Sequence, residues 1–179
     1  MVHADGSSFW CELTGSAVDP RYPRESSIWI FTDVTERKLA EERAKFLSYH
    51  DALTGLPNQL LLQDRLQQAI AFSNRMGTKV ALMVLDIDRF KAINDFLGHD
   101  AGNRMLVAVA ERLKVHLRGT DTVCRQGGDE YLLLLTNLAE PDAVVTFLGE
   151  LQNSFREPFR IDETEMAISV SVGVTMYPE

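Results

Sequence analysis

The stretch that decides the reading of this chain is Thr122-Val123-Cys124-Arg125-Gln126-Gly127-Gly128-Asp129-Glu130-Tyr131-Leu132-Leu133-Leu134-Leu135. Two apolar runs flank Gly127-Gly128, which is the signature of a β-hairpin. Two glycines permit a tight turn with positive φ and let a ligand approach the backbone closely. Asp129 and Glu130 follow them directly. An ordinary hairpin needs no pair of carboxylates there, although solvation of the turn is a sufficient bland reason for them.

Working outward, Val80-Ala81-Leu82-Met83-Val84-Leu85 is a continuous apolar run, which predicts a strand buried on both faces. It ends in Leu85-Asp86-Ile87-Asp88. Alternate strand side chains share a face, so Asp86 and Asp88 are expected side by side. Two such carboxylates repel and resist desolvation unless something positive joins them. The competing reading is a polar strand exit with one acid capping the next helix. If the hairpin pairs beside this strand, three or four carboxylate oxygens converge. Hard oxygen ligands of that kind suit Mg²⁺, and two such ions can clamp both ends of a phosphoryl transfer.

Asn58 is placed to cap a helix with Leu62, Leu66, Ala69 and Ile70 on one face. Asp100 is placed to cap a second, with Leu106, Val109, Ala110, Leu113 and Leu117. A third helix is expected near 141–155, a short strand near 158–161 and an alternating strand from about 166 to 176. Helices, strands and a hairpin together predict an α/β or α+β fold with a mixed sheet.

Before this domain, Ser8-Phe9-Trp10-Cys11-Glu12-Leu13-Thr14 and Ser27-Ile28-Trp29-Ile30-Phe31-Thr32 read as strands joined by a loop at Asp19-Pro20-Arg21-Tyr22-Pro23. Two strands make no stable domain alone, so residues 1–35 read as the end of a domain whose front is missing. Residues 34–49 lack Gly and Pro and are dense in charge, which predicts a connector helix, either solvated or a short dimeric coiled coil.

The 179 residues suit about one domain with part of another. The 18 basic and 26 acidic side chains, net −8, argue against binding a nucleic-acid polymer. No apolar run approaches the ~20 residues of a membrane span, and the N-terminus resembles no targeting peptide. Cys11 and Cys124 form neither a disulfide framework nor a metal pair, which fits a reducing cytosol. There is no Walker loop, no GxGxxG, no kinase signature set and no nucleophile elbow. His3, His50, His99 and His116 lack metalloprotease spacing, and His116 is expected at the surface.

Five motifs in order then point to one family: His50-Asp51-Ala52-Leu53-Thr54-Gly55-Leu56-Pro57-Asn58; Asp86-Ile87-Asp88-Arg89-Phe90-Lys91-Ala92-Ile93-Asn94-Asp95; Gly98-His99; Arg125-Gln126-Gly127-Gly128-Asp129-Glu130-Tyr131; and Ser171-Val172-Gly173. Over residues 50–179 they resemble the GGDEF domain of bacterial diguanylate cyclases. Phe31-Thr32-Asp33-Val34-Thr35-Glu36-Arg37 resembles the exit of a PAS sensor domain, with 36–49 as the linker. The resemblance implies about five central strands wrapped by helices. It implies condensation of two GTP to cyclic di-GMP with release of pyrophosphate, in a cytoplasmic homodimer holding one GTP per subunit. It implies Mg²⁺ or Mn²⁺, two per active site, held by Asp86, the Ile87 carbonyl, Asp129 and Glu130. Asp129, Glu130 and Lys91 would be catalytic, with either acid as base. Asn94, His99, Asn103, Gly127 and Gly128 would face the nucleotide. Arg118 and Asp121 would form the RxxD inhibitory site for cyclic di-GMP.

Three departures carry their own expectations. Asn103 stands where the family usually has Asp, and Asn offers one acceptor and one donor where guanine presents two donors. Weaker GTP binding or acceptance of ATP follows. Tyr131 replaces Phe. The family continues beyond Glu179 with a helix and strand carrying a lysine and an arginine for the triphosphate, so this chain alone is expected to be weak or inactive. The alternative implied function is a catalytically weak sensor of GTP or cyclic di-GMP that regulates a downstream EAL phosphodiesterase domain.

Overall fold

The computed structural model describes residues 6, 8–17 and 27–178. It divides into two compact units, Met1–Leu47 and Ser48–Glu179.

In the first unit, β1 (Cys11–Ala17) and β2 (Ser27–Asp33) form an antiparallel pair in which Cys11 faces Asp33. β1 begins later than the aromatic run suggests, because Trp10 instead uses its N–H on the Thr35 hydroxyl at 2.9 Å and its carbonyl on Val34 N–H at 2.9 Å. These bonds fasten the hairpin to α1 (Thr35–Tyr49), whose backbone starts against the Asp33 carboxylate at 2.9 Å. α1 has no buried residue, as its dense charge of both signs dictates. The expected loop at 19–23 lies outside the described residues.

The second unit is built on a four-stranded sheet in the order β4-β5-β3-β8, made of β3 (Lys79–Ile87), β4 (Thr122–Gly127), β5 (Glu130–Leu138) and β8 (Val170–Tyr177). Every pairing is antiparallel, so the mixed sheet is corrected, and among the described residues four central strands stand where about five were expected. The fold class is α+β. The helices are α2 (Gln59–Met76), α3 (Phe90–Leu97), α4 (His99–Val115) and α5 (Asp142–Phe155).

β3 runs through the middle, and its two faces differ. Ala81, Met83, Leu85 and Ile87 are all fully buried in the main core with Met105, Val109 and Leu113 of α4 and Leu151 of α5. On the other face Val80 packs with Leu62 of α2, Leu134 and Cys124. Farther along that face Leu82 is half-buried and Val84 is 45% exposed. The strand is therefore buried on both faces only at its start.

Asn58 caps α2 as its position predicts, its side chain accepting from Leu61 N–H at 3.2 Å. Asp100 does not cap α4. Gly98, at φ 84°, is both the C-cap of α3 and the N-cap of α4, and Asp100 sits in the first turn, where a carboxylate favours the helix dipole. Leu117 lies beyond that helix, and His116 is its half-buried C-cap rather than a surface side chain. The expected strand at 166–176 is two strands. β7 (Thr164–Met166) pairs with β6 (Phe159–Ile161) as a separate ribbon, and β8 starts only at Val170. Arg112 of α4 ties the end of α5 to this ribbon by donating to the carbonyls of Ser154, Glu157 and Pro158.

Candidate active site

The β3–β5 register sets Asp86 directly opposite Glu130, with Leu85 opposite Tyr131 and Val84 opposite Leu132. Asp86 and Glu130 thus share the half-open face of the sheet with Val84. The β4–β5 hairpin closes with Gly127 opposite Glu130, leaving Gly128 and Asp129 as the turn. Gly128 takes φ 54° and Gly127 φ 148°, both in the region that side chains disfavour. Burial, and then the negative charges of Asp129, Glu130 and Asp88, push the Asp86 carboxyl above the usual carboxylate range. The ion pairs among the described residues include none of Asp86, Asp129 and Glu130. These are acids facing acids, with no cation of the protein between them.

Asp88 is not their side-by-side partner. β3 ends at Ile87, and the Asp88 carboxylate turns to the hydroxyls of Ser169 and of Ser171, the latter at 2.7 Å. Those hydrogen bonds hold it below the usual range. It pins the exit of β3 to the start of β8, reinforced by Asp88 N–H to the Ser169 carbonyl at 3.0 Å.

The hairpin is braced by two residues that motif reading leaves without a role. Arg125 of β4 donates to both oxygens of Asp51 at 3.0 and 3.1 Å and to the Gly128 carbonyl at 3.1 and 2.7 Å. Asp51 also accepts from the backbone N–H of Thr54 at 2.9 Å and from its hydroxyl at 2.6 Å. Burial pushes the Asp51 carboxyl up, but the Thr54 and Arg125 bonds outweigh it and leave it below the usual range. The 50–58 loop is thereby clamped onto the turn that carries Asp129, and Arg125 N–H to the Pro57 carbonyl at 3.1 Å adds a backbone tie. Beneath this brace Cys124 is fully buried and its thiol is pushed up to about 11, first by burial and then by Asp51. It is an inert core residue.

α3 begins immediately beyond the acidic strand end, after Arg89 in a left-handed conformation at φ 58°. Lys91 lies exposed in its first turn, and Asn94 is half-buried against α4. His99 and Asn103 are exposed in the first turns of α4. A cavity of about 740 Å³ opens beside Asp86, lined by Asp88, Arg89, Ile93, Phe96 and Ile168 among others. Lys91, Asn94, His99 and Asn103 do not line it. Among the described residues no group of three or more Asp, Glu, His or Cys side chains is gathered as a set of metal ligands. The donor chemistry of Asp86, Asp129, Glu130 and the Ile87 carbonyl suits a hard divalent cation.

Arg118 and Asp121 lie at the opposite end of β4 from the hairpin turn. The Asp121 carboxylate is engaged within the fold, accepting from Arg118 N–H and from Thr136 N–H, both at 3.1 Å. The Arg118 side chain is exposed. Next to this loop a cavity of about 660 Å³ is lined by Arg65, Phe72, Arg75, Gly119 and Thr120. Arg65 is fixed there by a 2.8 Å bond to the Thr122 hydroxyl.

Known proteins resemble this chain in sequence and fold. The family model described as "Diguanylate cyclase, GGDEF domain" matches residues 48–179. The bifunctional diguanylate cyclase/cyclic di-GMP phosphodiesterase MucR of Pseudomonas aeruginosa is 42% identical over 166 residues, covering 93% of this chain and 24% of that protein. The solved structure of a TpbB variant from Pseudomonas aeruginosa comprising only the GGDEF domain superposes with a TM-score of 0.70 at 38% identity, covering 72% of this chain and 76% of that one. The coiled coil and GGDEF domain of DgcB from Caulobacter crescentus, solved in complex with cyclic di-GMP, gives 0.69 at 28% identity, covering 80% and 76%. The chain spans about a third or less of the length of the curated relatives it matches.

Proposed function

Because this chain belongs to the GGDEF domain family of diguanylate cyclases, we propose that its second unit condenses two GTP into cyclic di-GMP with release of pyrophosphate. The observation that carries this reading is the register placing Asp86 opposite Glu130, one residue from the Asp129 turn. Asp86, Asp129, Glu130 and the Ile87 carbonyl would hold Mg²⁺ or Mn²⁺, two per site. The metal supplies charge neutralisation at the phosphates and at the attacking oxygen. Asp129 or Glu130 takes the proton of the 3′-hydroxyl. Lys91 stabilises charge that builds on the phosphate. Asn94 and Asn103 face the base, His99 lies in the same nucleotide-facing segment, and the bare Gly127-Gly128 backbone lets the nucleotide close on the turn. The 3′-hydroxyl of one GTP attacks the α-phosphate of the other, so two domains must face each other in a homodimer.

Control is proposed from two sides. Residues 1–35 would be the end of a PAS sensor domain and 36–49 its helical linker, in a cytoplasmic protein or part of one. No helix among the described residues is long and apolar enough to cross a membrane. Arg118 and Asp121 would take the product as an inhibitor. The engaged Asp121 carboxylate supports a preformed loop there, and the exposed guanidinium suits a phosphate or a guanine edge.

Asn103 favours a second reading, in which the domain is catalytically weak and senses GTP or cyclic di-GMP for a downstream EAL phosphodiesterase domain. The bifunctional name of MucR supports it. One experiment separates the two. The full-length protein is incubated with Mg²⁺ and GTP, ATP or both, and products are identified by mass spectrometry. Cyclic di-GMP is the expected product, lost in Asp129→Ala together with metal-dependent nucleotide binding. No cyclic product, with GTP or cyclic di-GMP still bound, establishes the sensor.

A further inference from the structure

Gly102 is the fourth residue of α4 and is buried, with none of the positive φ that would call for a glycine. Glycine is the poorest helix former after proline, so a reason for it is needed. The geometry supplies one. A Cβ built on Gly102 would lie 1.9 Å from Oδ1 and 3.0 Å from Cγ of Asn94 on the neighbouring α3. The next atom, Phe90 Cζ, is 3.4 Å away, an ordinary distance. The space a side chain would fill is therefore filled by one group, the Asn94 carboxamide.

We infer that Gly102 is a positioning residue for base recognition: its missing side chain is the seat that holds the Asn94 carboxamide against α4, next to Asn103. The inference rests on the proposed nucleotide site and names what sets the spacing of two of its base-facing groups. The single residue Gly98 between α3 and α4 brings the two helices together at this point. The Asn94 carboxamide is the far end of a side chain with two rotatable bonds, and among the described residues it makes no hydrogen bond that would hold it instead. A methyl group at 102 therefore displaces the carboxamide without displacing backbone. The fold should tolerate or gain from it while nucleotide recognition is lost.

The test is a double-mutant cycle on the full chain: parent, Gly102→Ala, Asn94→Ala and both together. Thermal unfolding is measured beside calorimetric binding of 3′-deoxy-GTP with Mg²⁺, a ligand that lacks the attacking hydroxyl and cannot turn over. Gly102→Ala is expected to melt at or above the parent temperature and to bind about tenfold more weakly, the loss of one good polar contact. The double variant is expected to match Asn94→Ala within about twofold, because no carboxamide is left to displace. Parent-like binding by Gly102→Ala overturns the inference, as does a loss that recurs in full on Asn94→Ala. A parent that binds no nucleotide overturns the proposed site instead. The seat is then read without ligand from the Asn94 side-chain amide resonances, which must move in Gly102→Ala and overturn the inference if they do not.

Discussion

The two faces of β3 follow different rules although one backbone carries both. On one face Ala81, Met83, Leu85 and Ile87 are sealed from solvent over the length of the strand. On the other, exposure rises from 2% at Val80 to 45% at Val84, and the face ends in Asp86 opposite Glu130. The period of two in a strand makes this division possible. Alternate residues hold the sheet to α4 and α5, and the residues between them are released from packing toward the acidic end. A strand buried equally on both faces would stabilise the domain further, yet it would leave no entrance for a ligand beside its carboxylates. Stability and access are separated by parity of position.

Substitutions at adjacent residues can break that division. Leu85→Ala empties a fully buried site and is expected to cost about 3 kcal/mol. Val84→Ala is expected to cost less than about 1 kcal/mol, as at a partly exposed position. Chemical denaturation of both variants decides the matter, and equal losses would show that the faces are not distinct. Somewhat smaller is the expected effect of Arg125→Ala, about 2–3 kcal/mol, because the Asp51 carboxylate and the Gly128 carbonyl lose a largely buried partner together. Nucleotide binding should weaken with it, since the Asp129 turn loses its brace. A stability loss with unchanged nucleotide affinity would assign the brace to the fold alone.

What could be read in the amino-acid order follows the same division. Local periodicity announced α2 with its Asn58 cap, the apolar run of β3 and the Gly127-Gly128 hairpin, because each is decided within a few neighbouring residues. The short helix α3 was not legible, and because its joint with α4 is capped by Gly98, which has no capping side chain, Asp100 offered itself as a false cap. Asp88 resembled a second site acid because its hydroxyl partners Ser169 and Ser171 lie 81 and 83 residues away. Asp51 and Arg125, 74 residues apart, were quoted within motifs, but only the folded register shows that they meet. Charge signals a site in sequence, and long-range pairing decides which charges belong to it.

The Asp51 brace also carries a pH signature. Its carboxyl titrates lower in the folded chain than the roughly 3.9 of an unfolded aspartate. The stabilisation is therefore fully present above about pH 4 and is lost as pH falls through the lower folded value. The stability gap between the parent and Asp51→Asn should shrink from pH 6 to pH 3 in urea titrations. A gap independent of pH would show that the ionised carboxylate contributes nothing. Asn103→Asp, in turn, supplies two acceptors to the two donors of guanine and should raise the preference for GTP over ATP about tenfold. An unchanged ratio in competition binding would remove this residue from base reading.

A further small effect sharpens the sealed face. Tyr131 is fully buried directly opposite Leu85, and its hydroxyl donates to the Leu106 carbonyl of α4 at 2.8 Å. Burial first, opposed by Arg125, pushes the phenol well above its ordinary value, so it stays protonated and a donor. The phenol oxygen is thus accommodated with a partner, and it links the first residues of β5 to the middle of α4. Tyr131→Phe removes one satisfied hydrogen bond and leaves the helix carbonyl its own backbone partner, so the cost should be about 1 kcal/mol. Equilibrium denaturation at neutral pH reads this directly. A variant as stable as the parent would mean that the ring alone anchors the hairpin to the core, and that the hydroxyl is only tolerated there.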